Sequence, residues 1–429
     1  MSSLQAIRGT RDILPSEAPL WATIEGLARQ ALAQSAYREI RTPIFEQTEL
    51  FARGIGEATD AVGKEMYSFE DRGGRSIALR PEITAGLVRA FIQNKLFAQG
   101  GVQRLWHLGP AFRYERPQAG RQRQFHQLDV EILGSRDPRA DVEIIAIATQ
   151  ILNTLGLSAL TLDLNSVGSS EDRQAYRDAL VAYFTPFERE LDKDSQDRLS
   201  RNPLRILDSK DKRTQEIVTD APSLLDYLSD DSQCHFDGVQ QQLTNLGIPF
   251  NINPRLVRGL DYYTHTAFEI QSSDLGAQAT VCGGGRYDGL VAQLGGPDTP
   301  AIGFGMGIER LIILLEQMAC YPITPELDIY LISRGEKAEY QSTRLASELR
   351  KQGYSVEVDL SGSAFGKQFK RADRSGAVVG LILGDAEAET GSVQLKWLAS
   401  EDQLELTQAE LIEGAAQMKS QIEQRRAQR

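Results

Sequence analysis

The spacing of strand-like and helix-like segments changes near Pro325, and this change limits the folds that the chain can adopt. Beyond that point, strand-like segments such as "LDIYLIS" and "AVVGLILG" alternate with helical stretches. Such alternation predicts a separate α/β domain, which we place at residues 325–429. Residues 1–324 show hairpin-like strand pairs instead, which predict an α+β core with a large antiparallel sheet flanked by helices.

Residues 170–248 interrupt the predicted core with a polar, charged and helix-like stretch. Because it holds no strong strand pattern, we predict a helical insertion within the core. At the N-terminus, Ser16 is predicted to cap the first helix, whose apolar residues recur at helical spacing. Pro43 lies in the strand-like stretch "REIRTPIFE", which we predict to be an edge or interface strand because proline lacks a ladder donor.

The composition is that of a soluble globular protein, with 41% hydrophobic residues and a formal net charge of −12. No apolar run approaches the roughly 18 residues of a membrane span, and the start has no apolar signal-like segment. The three cysteines show no paired spacing, so we expect no zinc site and a reducing, cytoplasmic location. The acidic balance disfavours a general nucleic-acid coat protein but permits a local basic patch.

One predicted hairpin is rich in arginine and then in carboxylates. Its second strand alternates, with Leu128, Val130 and Ile132 on one face and Phe125, Gln127, Asp129 and Glu131 on the other. The polar face is either a solvated surface or a ligand pocket. Arg113 and Glu115 share a face of the preceding strand, so we favour a pocket for a ligand with anionic, aromatic and cationic parts. Guanidinium groups suit phosphate oxygens in such a pocket.

Alternating glycines mark a second candidate site, the stretch "GFGMGIERL". Gly303, Gly305 and Gly307 leave one strand face without side chains, where a flat ring could lie, although tight packing against a neighbouring strand is the simpler interpretation. Arg310 falls in the first turn of the next helix, where a cation opposes the helix dipole. An anionic or π-rich ligand near that helix end would compensate.

These stretches together resemble the class II aminoacyl-tRNA synthetases. "FRYERPQAGRQRQFHQ" and "GFGMGIERL" resemble motifs 2 and 3 of that class, and the Pro43 segment resembles motif 1, which forms a dimer interface. "RGLDYYT" and "VCGGGRYDGL" resemble signatures of the histidyl-tRNA synthetase family. The resemblance spans nearly the whole chain except the insertion. It implies a homodimer with a C-terminal anticodon-binding domain at 325–429.

The resemblance also implies a reaction and roles for particular residues. L-histidine would be activated with ATP and Mg²⁺ and transferred to the 3′ end of tRNA(His), without a side-chain nucleophile. The implied catalytic residues are Arg113 and Arg258. The implied ATP contacts are Arg113, Glu115, Arg121, Phe125 and Arg310. The implied histidine contacts are Glu82, Thr84 and Gln127 for the α-amino group, Glu131 and Tyr263 for the imidazole, and Tyr287 in the pocket wall.

A basic stripe in the last domain is a candidate for tRNA contact. Lys367, Lys370, Arg371 and Arg374 recur at the spacing of one helix face. The stripe is either an ordinary solvated face or a contact to the tRNA backbone, which would be salt-sensitive.

Three other functions compete with histidyl transfer. A non-catalytic, synthetase-like regulatory subunit of histidine biosynthesis would typically lack the anticodon-binding domain and parts of the histidine signatures. A synthetase for threonine, proline or glycine would lack "RGLDYYT". A pure RNA-binding module would have no use for Arg113, Arg258 and Arg310 together. Pyrophosphate exchange that depends on histidine separates all three from the favoured prediction.

Overall fold

The computed structural model describes residues 4–56, 59–157, 159–207, 209–256, 262–274, 280–318, 327–400 and 402–426. The chain divides into two compact units, Met1–Tyr321 and Pro322–Arg429. The boundary predicted between residues 324 and 325 lies outside the described residues. Among the helices described, none combines the length and apolar character that crossing a membrane requires.

In the described residues, the first unit contains a large sheet and a small one. Its strands are β1 (Arg38–Glu39), β2 (Phe45–Gln47), β3 (Ser68–Glu70), β4 (Ser76–Leu79), β5 (Gln103–Phe112), β6 (Gln124–Leu133), β7 (Leu160–Ser166), β8 (Asn251–Ile252), β9 (Thr264–Ser272), β10 (Thr280–Arg286) and β11 (Ala301–Gly307). The eight-stranded sheet has the order β1-β5-β6-β11-β10-β9-β7-β8, and β2-β4-β3 form a second sheet. In the large sheet β1 is parallel to β5 and β8 to β7, and all other neighbours are antiparallel, as predicted.

Helices cover the large sheet. Those of the first unit are α1 (Ala18–Gln34), α2 (Thr48–Ile55), α3 (Asp60–Gly63), α4 (Thr84–Gln93), α5 (Pro138–Thr154), α6 (Ser170–Phe184), α7 (Lys193–Arg201), α8 (Lys212–Thr219), α9 (Asp230–Asn245), α10 (Leu290–Gln293) and α11 (Ile308–Gln317). Helices α1, α5, α9 and α11 bury their apolar residues in one hydrophobic cluster with Leu128, Val130 and Ile132 of β6. The alternation of β6 therefore places its apolar row in the core.

Two local predictions near the N-terminus are wrong. Ser16 does not cap α1; the N-cap residue is Glu17, without a side-chain bond, because the backbone N–H groups of Glu17 and Ala18 donate to the Leu14 carbonyl in a turn that sets the helix start. Both strands beside Pro43 are edge strands, as predicted, but the single strand predicted across Pro43 is broken into β1 and β2, which belong to different sheets. The Arg80 guanidinium bonds the Thr42 carbonyl at 3.1 Å, so the backbone there serves a side chain and not a ladder.

The described residues between 170 and 248 form helices α6 to α9 and short 3₁₀ turns, without a strand. The apolar residues of α6, α7 and α8, including Tyr176, Leu180 and Phe184, share a second cluster with Leu105 and Leu133 of the large sheet. The helical stretch is thus packed against the large sheet. Its identity as an insertion stays a prediction.

The strands described in the second unit form a mixed sheet. Its strands are β12 (Ile329–Ser333), β13 (Val356–Val358), β14 (Val379–Leu383), β15 (Ser392–Trp397) and β16 (Gln403–Thr407), in the order β13-β12-β14-β15-β16. Its helices are α12 (Glu336–Lys351), α13 (Phe365–Arg374), α14 (Asp385–Thr390), α15 (Gln408–Glu413) and α16 (Ala415–Arg426). Strands β13, β12 and β14 are parallel, whereas β15 and β16 are antiparallel additions. The sequence does not predict α14 and β16, because both are short and polar.

Candidate active site

A cavity of about 470 Å³ opens on the polar face of the large sheet. Its lining includes side chains singled out from the sequence, namely Glu82, Thr84, Arg113, Glu115, Arg121, Phe125, Gln127, Glu131, Tyr263, Tyr287 and Arg310. Arg258 lies outside the described residues. One cavity therefore brings together side chains from β6, β10, β11, the segment after β5 and the starts of α4 and α11, which are far apart in the chain.

Glu131 lies at the acidic end of the cavity and is 1% exposed. Its Oε1 accepts a hydrogen bond from the Thr84 hydroxyl at 2.8 Å, and its Oε2 accepts one from the Tyr287 hydroxyl at 2.6 Å. Burial raises the pKa of Glu131 to about 8, although these two hydrogen bonds oppose the shift. The carboxyl group is thus held in one orientation and titrates near neutral pH.

Glu82 is a second buried carboxyl group of the same wall. Its oxygens accept from the backbone N–H groups of Thr84 at 2.7 Å and Ala85 at 2.8 Å. Burial raises the pKa of Glu82, while these backbone bonds and Arg113 act in the opposite direction. Glu82 therefore satisfies two of the donors that the start of α4 would otherwise leave unpaired.

Three tyrosines form the aromatic wall. The ring centroids of Tyr262 and Tyr263 lie 4.7 Å apart, and those of Tyr262 and Tyr287 lie 5.5 Å apart. Burial raises the pKa of the Tyr262 and Tyr287 hydroxyls well above the ordinary value. These phenols stay neutral at physiological pH and can donate hydrogen bonds.

Guanidinium groups collect at the other end of the cavity. Arg113 Nε donates to the Pro81 carbonyl at 2.8 Å, and its guanidinium carbon lies 5.3 Å from the centroid of the Phe125 ring. Arg121 lies 3.3 Å from a Glu115 carboxylate oxygen. Among the described residues, the Glu115 carboxylate is the one that lies within 4.0 Å of both Arg113 and Arg121, and a pair of guanidinium groups sharing one carboxylate suits an anionic ligand.

Arg310 completes the cationic end. Its guanidinium donates to the carbonyls of Thr280 and, at 3.4 Å, Gly120. Burial lowers the pKa of Arg310, and the nearby positive charge of Arg121 adds to this effect. The adjacent Glu309 accepts from the His126 backbone N–H at 3.0 and 2.9 Å, which fastens the start of α11 to β6.

The glycines of β11 make room for neighbouring side chains. Gly303 pairs with Glu131, and a Cβ at Gly303 would lie 1.5 Å from Glu131 Oε2. A Cβ at Gly305 would lie 2.7 Å from Gln127 Nε2. Tight packing therefore explains Gly303 and Gly305. At Gly307 an added Cβ would lie 3.8 Å from Arg310 Cδ, so the bare face that could take a flat ring is limited to Gly307.

Some lining residues are absent from the predicted set. Tyr262 and Thr280 line the cavity, as does Arg205 from the 3₁₀ turn Pro203–Ile206 of the helical stretch. The tyrosine pair in "RGLDYYT" was a signal for Tyr262, whereas no local pattern indicates that Arg205 reaches the site. Within the described residues, no group of three or more His, Cys, Asp or Glu side chains could hold a metal ion.

The basic stripe lies on α13 in the second unit. Lys367, Lys370 and Arg374 are exposed. Arg371 instead donates through Nε to Asp359 Oδ2 at 2.8 Å. Burial alone would raise the pKa of Asp359, but hydrogen bonds from Arg371 and Ser361 hold it well below its usual range. One of the four cations is therefore engaged within its own unit.

Comparisons with known proteins agree along the whole chain. The family model for histidyl-tRNA synthetase matches residues 9–311, and that for an anticodon binding domain matches residues 328–418. The chain is 69% identical over 422 residues to the histidine--tRNA ligase of Synechocystis sp., covering 98% of this chain and 94% of that protein. It is 66% identical over 424 residues to the Picosynechococcus sp. protein of that name, covering 99% of each.

Solved structures give the same result for the fold. The apo histidyl-tRNA synthetase of S. aureus matches with a TM-score of 0.82 and 37% identity, over 96% of this chain and 99% of that one. The histidyl-tRNA synthetase of Nostoc sp. matches with a TM-score of 0.67 at 21% identity, over 97% and 99% of the two chains. The second likeness concerns the fold alone.

Proposed function

We propose, because the chain belongs to the histidyl-tRNA synthetase family, that it activates L-histidine with ATP and transfers the histidyl group to the 3′ end of tRNA(His). The observation that carries this function is the single cavity with guanidinium groups at one end and acid and phenol groups at the other. Such a cavity accommodates a nucleotide beside an imidazole-bearing amino acid.

The first step forms histidyl-adenylate. A carboxylate oxygen of histidine attacks the α-phosphorus of ATP, the bond from that phosphorus to the bridging oxygen breaks, and pyrophosphate leaves. Arg113 contacts the α-phosphate, and we assign the opposite side of the transition state to Arg258. The chain needs no side-chain nucleophile, because fixed positive charges and correct positioning lower the barrier to phosphoryl transfer.

The cationic end holds the nucleotide. Arg121 and Arg310 contact the outer phosphates, Phe125 and Arg310 enclose the adenine ring, and Glu115 contacts the adenine edge. The guanidinium of Arg113 already lies over the Phe125 ring in the described structure. Mg²⁺ enters with ATP as part of the substrate, which agrees with magnesium's preference for phosphate oxygens and few protein ligands.

The acidic end selects histidine. Neutral imidazole has one N–H donor and one nitrogen acceptor. Glu131 accepts from the N–H, the Tyr263 hydroxyl donates to the other nitrogen, and Tyr287 holds Glu131 in place. Glu82, Thr84 and Gln127 form the wall around the α-amino group. An amino acid without these polar groups leaves buried partners unpaired, which can lower its reaction by on the order of 10⁴-fold.

The second step transfers the histidyl group. The 2′- or 3′-hydroxyl of the terminal adenosine attacks the adenylate carbonyl carbon, and AMP leaves. Residues 325–429 bind the anticodon region of the tRNA, and the exposed Lys367, Lys370 and Arg374 contact its backbone. Arg371 contributes less, because Asp359 engages it.

The regulatory alternative is not favoured. Relatives that are 65–69% identical over nearly the whole chain carry the name histidine--tRNA ligase. The part that a regulatory subunit typically lacks is present, since the anticodon-binding model matches residues 328–418. Catalytic charging of tRNA is therefore the function of the chain.

The assembly that we propose is a homodimer acting in the cytoplasm. The segment beside Pro43 presents Ile44 at 43% and Phe45 at 57% exposure, and contact with a second copy would cover such apolar side chains. Light scattering of the purified protein tests this assembly. A mass of about 95 kDa, twice the 47.5 kDa chain, is expected, and a monomer at micromolar concentration would contradict it.

Amino-acid-dependent ATP–pyrophosphate exchange with each of the twenty amino acids tests the function. Exchange is expected with histidine alone. Exchange with a different amino acid would indicate another synthetase, and no exchange with any amino acid would favour the non-catalytic alternative.

A further inference from the structure

Two buried acceptors of the cavity wall have no hydrogen-bond partner among the described residues. Asp129 Oδ2 and Gln127 Oε1 are buried atoms that accept no hydrogen bond from the described part of the chain. Both side chains line the cavity from the same face of β6, two positions apart. Because an unpaired buried acceptor is costly, the pair indicates a ligand that supplies N–H or O–H donors.

The other carboxyl groups of this wall already have donors. Both oxygens of Glu82 accept backbone N–H groups at the start of α4. Both oxygens of Glu131 accept hydroxyl groups, one of them from Thr84. Thr84 thus directs its only side-chain proton to Glu131, and the open acceptor capacity of the wall lies on Asp129 and Gln127.

Arg80 is the cation whose charge most strongly offsets that of the Asp129 carboxyl. Its hydrogen bonds go to other groups. Arg80 is 3% exposed and donates to the carbonyls of Pro110 at 2.7 Å and Thr42 at 3.1 Å. It also donates to the Thr42 hydroxyl at 3.2 Å. Arg80 therefore lowers the electrostatic cost of the carboxylate without making a hydrogen bond to it.

We propose that Asp129, with Gln127, binds the α-ammonium group of histidine and sets the preference for ligands that carry this group. The inference rests on the proposed function and adds a residue to its amino-acid site. An ammonium group brings three N–H donors and a positive charge. It satisfies both acceptors and neutralises a carboxylate that shares a buried wall with Glu82 and Glu131. Burial raises the pKa of Asp129, and the repulsion of these two carboxyl groups adds to the shift.

The test measures binding of two ligands by calorimetry to the full-length protein and to Asp129→Asn. Histidine carries the α-amino group, whereas imidazolepropionic acid keeps the ring and the carboxylate but lacks the amine. The unaltered protein should bind histidine more tightly by on the order of 100-fold. Asp129→Asn should lose roughly 10- to 100-fold in affinity for histidine but lose no affinity for imidazolepropionic acid. The matched control Asp163→Asn removes a carboxylate of the same sheet outside this cavity and should change neither affinity.

Retained binding of imidazolepropionic acid shows that Asp129→Asn is folded. An unchanged histidine affinity in this variant would overturn the inference. An equal loss for both ligands would also overturn it, because Asp129 would then hold the protein's own cations. If the unaltered protein binds no histidine, the proposed function itself fails.

Discussion

Glu131 shows how burial and two neighbours determine the state of one side chain. Removal from water favours the neutral acid, whereas hydroxyl donors favour the carboxylate. The balance leaves the pKa at about 8, far above that of an exposed glutamate. A carboxyl group in this state changes its charge when its partners change, so the loss of the Thr84 or Tyr287 hydroxyl would alter the charge of the acidic end.

Replacing Tyr287 with Phe should move the pH dependence of histidine activation to higher pH. The Tyr287 hydroxyl stabilises the ionised form of Glu131, so its loss raises the pKa of Glu131 above about 8. Less carboxylate is then present at pH 7, and a rise of about one in the pKa should lower activity there by on the order of tenfold. The measurement is kcat/KM for pyrophosphate exchange from pH 6 to 9. A profile identical to that of the unaltered protein would contradict this role of Tyr287.

At the scale of elements, β6 and β11 act together. Register places Gly303 opposite Glu131, Gly305 opposite Asp129 and Gly307 opposite Gln127. The polar side chains of β6 occupy space that side chains on β11 would otherwise fill. The polar side chains of β6 therefore require glycines on β11, and a methyl group added to β11 would displace side chains at the acidic end of the cavity.

Gly303→Ala should reduce histidine activation by about 100-fold or more, because a misplacement near 1 Å can have this effect. The new Cβ would lie 1.5 Å from Glu131 Oε2 and 2.6 Å from the Val130 carbonyl oxygen, so side chain and backbone must both move. Gly289→Ala is the control, since its Cβ would meet nothing within 4 Å and its φ is −86°. Pyrophosphate exchange compares the two variants. Equal activities would show that the Gly303 contact does not constrain Glu131.

At the scale of the whole molecule, cationic regions occur on a chain whose net charge is negative. The formal net charge of −12 does not prevent local cationic regions, one in the cavity of the first unit and one on α13 of the second. A local field of this kind can guide an anionic partner despite the net charge. On α13, however, exposed cations and a cation engaged by Asp359 stand side by side.

Lys370→Ala should weaken binding, and therefore charging, of tRNA(His). The measurement is the association constant K for tRNA at several salt concentrations. The slope of log K against log salt concentration should become less steep by about 0.7 to 0.9 for each lost phosphate contact. Lys351→Ala on α12, an exposed lysine paired with Glu348, is the control and should leave the slope unchanged. Arg371→Ala should mainly lower the denaturant midpoint of unfolding, because Asp359 loses its partner. An equal effect of Lys370→Ala and Lys351→Ala would exclude the α13 contact.

The sequence alone was sufficient wherever a local repeat determines structure. The period-two alternation of β6 predicted which residues face the core, and the change of pattern near Pro325 predicted two kinds of domain. Motif resemblance selected residues that the structure brings to one cavity. These features follow from chain geometry, because strand and helix periods decide which side chains share a face.

Only the tertiary structure decided which partner each side chain meets. In the folded chain Arg371 donates to Asp359, and the Glu131 side chain occupies the space beside Gly303. Arg205, from the helical stretch, lines the cavity. The fold also left acceptor atoms of Gln127 and Asp129 without partners among the described residues. Each outcome depends on residues distant in the chain, and a local pattern carries no information about which distant group will occupy the adjoining space.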